Sequence, residues 1–270
     1  MAETASRPVG ASAGRVLSMS VDYSEDELDA LADIFGVPAL GSARLRNPPA
    51  TPLAEAVLRA SLGTAIRGLV ARRAIMLGGT ALRPEIEFLE PHGSFLSVFL
   101  GAQATFAVRR DGDRGIEQHV VFVRDATAVE QRTADGRAIL RMTAYPVAQT
   151  RSLVLGPVGL LDDARAAVEA PAVEVTLDGL DRGIATRGAD CEGTVLEALA
   201  DVLHARRFTG EAVVARTLGA RVERSEVRWL DAGELGLWVV EPGVGEPPVT
   251  ATVRPVGAAE LRTLLQSEEG

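Results

Sequence analysis

Three histidines, one cysteine and 37 carboxylates are the side chains that could carry acid–base, nucleophilic or metal chemistry in this 270-residue chain. His92, His119 and His204 share no helical or chelating spacing. Without a His-x-x-x-His pair a helical zinc site is excluded, although a base assembled from distant parts of the chain stays open. His204 sits late in a helical stretch, where the helix dipole is reason enough for it. Cys191 is the only cysteine, so no internal disulfide and no Cys-x-x-Cys site can form. Its neighbours Asp190 and Glu192 raise a thiol pKa and disfavour a reactive thiolate. Gly10–Gly14 reads GASAG and fits the Gly-x-Ser-x-Gly elbow, but no strand precedes it, so Ser12 reads as part of a small-residue tail. Asp162-Asp163 and Glu25-Asp26-Glu27 read as helix starts. Leu77-Gly78-Gly79 and Gly243-Val244-Gly245 lack the GxGxxG pattern and read as turns. All 28 bases are arginine; the chain has no lysine. That removes P-loop, Schiff-base and Ser-x-x-Lys chemistry. The expectation is a non-enzyme with neither cofactor nor metal.

The elements that would have to position any site have ordinary globular composition: 47% hydrophobic, 24% charged and only 4% aromatic. The core must therefore be built from Ala, Val, Leu and Ile. Net charge is −9, which argues against a nucleic-acid footprint. The charge is uneven. Residues 1–150 hold 16 arginines against 17 acids, a net of −1; residues 151–270 hold 12 against 20, a net of −8. That is either a solvated acidic face or a surface for a polar or basic partner. No apolar run approaches the ~18 residues of a membrane span. The first 18 residues lack an apolar signal region and read as a flexible tail, with Met19 an alternative start. A lone cysteine and no leader point to the cytoplasm.

Order is expected to begin at Ser24, which forms a capping box with Glu27 ahead of Leu28, Leu31, Ala32 and Phe35. Gly36 and Pro38 end that helix, Asn47-Pro48-Pro49 is a linker, and Thr51-Pro52 starts the next helix. In it Val57, Leu58, Ser61, Leu62, Ala65, Ile66, Leu69 and Val70 form an apolar stripe. A short helix is expected over 84–89. From there period two predicts strands at SFLSVFL, ATFAVRR, HVVFVRD, AVEQRT and RAILRMTAY, separated by Gly101, Asp111-Gly112-Asp113 and Asp135-Gly136. Helices are expected at 149–155 and 160–170. The second half restates the plan: a strand at VEVTL, a helix over 192–206, strands at AVVARTL, SEVRWLD, ELGLWVV and VTATVRP, and a closing helix near 258–265. Both halves end in a strand, Pro-Val, then a helix bearing Arg and Leu (Pro146-Val147 with Arg151; Pro255-Val256 with Arg262). The reading is an α+β fold with a central antiparallel sheet flanked by helices and a pseudo-two-fold internal duplication, divided as tail 1–18, first half 19–156 and second half 157–270.

One resemblance carries function. The strand into Trp229-Leu230-Asp231, the Gly236-Leu237-Trp238 after its turn, and Thr252-Val253-Arg254-Pro255 before a helix with Leu261 and Leu264 resemble the end of EspG-type proteins. SEDELDALADIFGV, TPLAEAVLRASLGTAIRGLVARRAI and LRPEIEFLEP are similar in outline to their first half. These patterns cover about residues 20–266. The chain departs at Leu237, where the family commonly has Arg. The resemblance implies a cytosolic chaperone of ESX (type VII) secretion in actinobacteria. It would hold helical-hairpin substrates of the PE/PPE type, without catalysis. Under it, the helix over 192–206 and the second-half sheet would carry the contact. Leu196, Leu199, Leu203, Trp229 and Trp238 are then the candidate partner-binding residues; the alternative for each is packing within the chain's own core. The competing functions are an immunity-like protein that neutralises a partner, and an enzyme with a dispersed site.

Overall fold

The computed structural model describes residues 19–35, 52–80, 83–113, 115–133, 139–191, 194–218, 221–244 and 247–266. The expected tail, Ser12, Gly36, the proline linker, Thr51 and the Asp135-Gly136 turn lie outside these residues. The chain builds a ten-stranded, wholly antiparallel sheet with a separate two-stranded hairpin and flanking helices, an α+β fold.

The first half runs β1 (Ser20–Ser24), α1 (Glu25–Phe35), α2 (Pro52–Ala71), the hairpin β2 (Ile75–Thr80) and β3 (Arg83–Phe88), then α3 (His92–Leu100). A meander of β4 (Ala104–Gly112), β5 (Gly115–Arg124), β6 (Thr127–Thr133) and β7 (Ile139–Pro146) follows, and then α4 (Thr150–Leu155). The second half runs β8 (Val173–Thr176), α5 (Leu177–Ala185), α6 (Ala200–His204), β9 (Phe208–Leu218), β10 (Arg221–Asp231), β11 (Leu237–Pro242), β12 (Thr250–Val256) and α7 (Ala258–Gln266). Across the sheet the order is β1-β7-β6-β5-β4-β9-β10-β11-β12-β8. The meanders meet at β4 and β9, where Val108 faces Ala212.

Alternation along the strands divides the sheet into two faces. On one, Phe106, Val108, Val121, Ala212, Val214, Trp229 and Val239 are buried beneath α4 and α7. On the other, Val120, Phe122, Val129 and Met142 pack under α1–α3, while Leu230, Trp238, Val240 and Val253 pack under α5 and α6. The capping box forms as expected: the Ser24 amide donates to Glu27 Oε2 at 2.8 Å and the Glu27 amide to Ser24 Oγ at 3.1 Å. In α2, Ala65, Ile66 and Leu69 face the core, but Val70 is exposed.

Six expectations need correction. Order begins before Ser24, because Val21 and Tyr23 are buried in β1 against β7. SFLSVFL is helix, not strand: Phe95, Leu96, Val98 and Phe99 bury one helical face. The expected helix over 84–89 is instead strand as far as Phe88. Exposed Glu85 and Glu87 alternate with half-buried Ile86 and Phe88, and Gly78-Gly79 lies inside β2 opposite them. The helix over 192–206 shrinks to a 3-10 turn (Glu197–Leu199) and α6, because Thr194 Oγ1 accepts the Leu196 amide and caps a turn there. Residues 160–170 are irregular chain rather than helix. Arg165 spreads between Asp163 and Asp231, and its carbonyl accepts the Ala258 amide, so Asp162-Asp163 starts no helix. Finally α5, unanticipated, exists because Gly183 lies where a Cβ would sit 3.0 Å from Leu203 Cδ1; glycine lets α5 close on α6.

Candidate functional site

The five residues singled out from the sequence all lie inside. Leu199, Leu203 and Trp229 have no exposure, and Leu196 and Trp238 are also buried. Leu196, Leu199, Leu203 and Trp238 share one cluster under α5 and α6, while Trp229 belongs to the cluster beneath α4 and α7. Trp229 packs on Gly210, where a Cβ would come within 2.1 Å of the indole. Trp238 Nε1 donates to the Leu235 carbonyl at 2.9 Å. In this conformation none of the five reaches a partner; each holds a helix or strand to the chain's own layers.

The surface that remains open lies at the junction of the halves. On the face shared by α1–α3 and α5–α6, Ala107 of β4 packs against the cluster under α1–α3, Arg228 of β10 pairs with Asp181 of α5, and Val213 and Ala215 of β9 between them are only half-buried. The register puts Thr105 beside Ala215, Ala107 beside Val213, Arg109 beside Glu211, and Glu226 and Arg228 beyond them on β10. Along β9, Ala212 and Val214 on the covered face are buried, while Glu211, Val213 and Ala215 on the open face are half-buried. The half-buried strip has a small apolar floor, called the trough below. At one end it deepens to about 240 Å³ between Arg109, Asp111, Thr209, Glu226, Arg228 and Ile184 of α5. At the other, Val222 is 68% exposed. Two to three strands at ~4.8 Å spacing span roughly 10–14 Å, which matches a single helix with its side chains at about 10–12 Å.

The rim is charged and loosely paired. Arg109 lies 3.9 Å from Asp111 and 4.0 Å from Glu211, and Arg224 lies 3.4 Å from Glu226. Arg228 pairs with Asp181 of α5, and Arg187 pairs with Asp113 to link the turn after α5 with the β4–β5 turn. Exposed pairs of this kind contribute about 0–1 kcal/mol each, so they can exchange partners at little cost.

The remaining ionisable clusters are fasteners. Burial lowers the His92 pKa, and its Nδ1 lies 2.6 Å from the Tyr23 hydroxyl. Arg72 joins Glu27 at 2.9 Å. Hydrogen bonds from Arg165 hold the Asp163 carboxyl below the usual carboxylate range. Burial, then Asp190, pushes the Cys191 thiol up. The three histidines fall on α3, β5 and α6. Among the described residues no cluster of three or more His, Cys, Asp or Glu could hold a metal, and no helix is long and apolar enough to cross a membrane.

No family model matches the chain, and no curated protein matches it by sequence. Among solved structures it is similar to the Mycobacterium tuberculosis type VII secretion system chaperone EspG5, determined in complex with a PE25–PPE41 dimer. The TM-score is 0.52 at 11% identity, covering 92% of this chain and 95% of that one. The two share a fold over nearly their whole lengths.

Proposed function

We propose that this chain is an EspG-type chaperone of type VII secretion that holds a helical-hairpin, PE/PPE-like protein in the cytosol without catalysing a reaction. The observation that carries the reading is the helix-wide gap in the helical layer. A partner helix laid on Ala107, Val213 and Ala215 would complete a layer that the chain builds only on either side, a helix-in-groove mode of recognition. The loosely paired rim can then re-pair with the partner's charges and set its register. The likeness to EspG5, a chaperone solved with a PE–PPE dimer, supports the same role. The five buried residues would act indirectly, by fixing the walls of the trough, with α6 holding α5 and Trp229 packed on Gly210 of β9 from the opposite face.

The halves 19–156 and 157–270 would be copies of one unit. The strand order supports this, since each half closes its outer edge with its first strand (β1 on β7, β8 on β12) and presents the first strand of its meander at the centre. The test is co-expression with the helical-hairpin proteins encoded beside its gene, followed by size-exclusion chromatography. Co-elution that is lost on Val222→Asp or Ala215→Arg, with thermal stability kept, supports the reading. Absence of co-elution from a folded protein counts against it.

A further inference from the structure

Resting on the chaperone reading above, we propose that the trough takes its partner helix in one direction only, and that Arg109, Asp111 and Glu211 set that direction. The strand registers relate the two halves position by position. Val108 of β4 faces Ala212 of β9 at the junction; His119 of β5 faces Val108, and Val227 of β10 faces Ala212. Carried outward one strand at a time, the same correspondence matches Ser24 on β1 with Thr176 on β8. Both cap a helix. Ser24 Oγ accepts the Glu27 amide at 3.1 Å and Thr176 Oγ1 accepts the Gly179 amide at 3.2 Å, three residues on in each case. The strands of the two halves are therefore related by a rotation about an axis between β4 and β9, and that axis passes through the trough.

The side chains on the open face break this relation. Thr105 matches Thr209, but Ala107 matches Glu211, Arg109 matches Val213 and Asp111 matches Ala215. At one end Arg109 and Asp111 lie opposite Glu211 and Thr209, and the floor is charged. At the other Thr105 and Ala107 lie opposite Ala215 and Val213, and the floor holds one hydroxyl and three apolar side chains. The β10 rim does not even this out, because Arg224 pairs with Glu226 and Arg228 turns to Asp181 of α5. A floor that followed the rotation would hold a helix equally well either way round. This one fits a helix whose charged residues, of both signs, lie toward Arg109 and whose small aliphatic residues lie toward Ala215. Arg109, Asp111 and Glu211 are 44%, 50% and 42% exposed in the free chain. A reversed helix would press aliphatic side chains onto them, removing their water without replacing it, and would lay its own charges on Ala107, Val213 and Ala215; both cost free energy.

Photo-cross-linking on the full chain tests this, with the helical-hairpin protein that co-purifies with it. A compact diazirine amino acid is placed at Thr105 or, in a second sample, at Thr209. These matched positions lie six strand residues apart, about 20 Å or nearly four helical turns, so they meet different parts of the occupant. Mass spectrometry should find each position joined to its own segment of the partner by about tenfold or more over the other, with the charged segment at Thr209. Arg109→Val, Asp111→Ala and Glu211→Ala together give each end the floor of its counterpart. All three are exposed strand positions, so the melting temperature should hold, and both probes should then join both segments. Cross-links from each position to both segments in the wild type, an uncharged segment at Thr209, or a one-way pattern that persists in the triple variant overturns the proposal. Capture without a cross-link at either position also overturns it while leaving the chaperone reading in place. Absence of capture by the folded protein overturns that reading itself, and this proposal with it.

Discussion

Leu203→Ala separates a core residue from a partner anchor more sharply than any other substitution. Leu203 has no exposed surface, packs in the cluster under α5 and α6, and has its Cδ1 only 3.0 Å from where a Cβ on Gly183 would sit. Truncation removes three carbons, about 2.4 kcal/mol at ~0.8 kcal/mol per carbon. The cavity adds to this, and measured Leu→Ala changes in cores run from about 2 to 5 kcal/mol. The site collapses poorly, because Gly183 and Gly188 bring backbone against this leucine and leave few side chains to move in. A loss of about 3–4 kcal/mol is therefore expected, of a total stability of order 5–15 kcal/mol. At roughly 2–4 °C per kcal/mol for a chain this size, the melting temperature should fall by about 6–16 °C. The assay is thermal unfolding by circular dichroism beside partner capture measured well below the melting temperature. Capture should persist there, weakened only as far as α5 loosens. Loss of capture with the melting temperature unchanged would show that the leucine faces the partner, and the placement of the trough would be wrong.

Val222→Asp is the mirror experiment: an exposed strand position should change the melting temperature by no more than about 0.5 kcal/mol equivalent while reducing capture on titration calorimetry. Gly210→Ala drives a methyl into the Trp229 indole; overpacking of this kind costs about 1–3 kcal/mol, and it should appear as altered near-UV dichroism with unfolding at lower denaturant. Arg165→Met strips the pairs from Asp163 and Asp231, which are 9% and 5% exposed while the arginine is 31% exposed; leaving the two acids without their donor at so partly solvated a site costs about 1–3 kcal/mol. The lowered Asp163 pKa means this stabilisation is present above the ordinary carboxylate pKa and lost as pH falls through the folded value. The variant should therefore show a flatter acid limb, read from denaturant midpoints between pH 6 and 2.

Much of the fold was legible because local rules and tertiary demands agreed. Ser24 and Glu27 announced α1, and period-two patterning with turn residues between the runs announced the meanders. The failures have physical causes. SFLSVFL is a short apolar run that fits both periods, and Glu85–Phe88 is an alternating stretch too short to be told from a helix turn. Burial decided between them, wedging α3 into the first-half core while β3 stands out as part of a two-stranded hairpin. In α5, two glycines argue against a helix locally, yet the close approach of α6 requires one of them. The non-helical stretch from Leu160 is held by Asp231, 66 residues from Arg165, a contact that no window reading contains.

The site was the least legible part, and on the proposed reading, in which the chain grips another polypeptide through its sheet, the reason is general. Leucines and tryptophans draw attention in a sequence because burying them releases the most free energy. The chain applies that free energy first to its own layers, and Leu196, Leu199, Leu203, Trp229 and Trp238 are accordingly inside. What is left for a partner must be stable when bare, so it is made of small or β-branched residues on a rigid floor and charges at the rim. Ala107, Val213 and Ala215 satisfy that condition, as do Arg109, Glu211 and Glu226, and none is conspicuous alone. They become a surface only because β4 and β9, far apart in sequence, meet antiparallel at the centre of the sheet. A large aliphatic side chain on that floor would improve affinity, but it would also expose a sticky strip whenever the partner was absent. Val213→Leu should accordingly tighten capture slightly and lower the solubility of the free protein. The reasoning fails if the variant is both tighter and equally soluble.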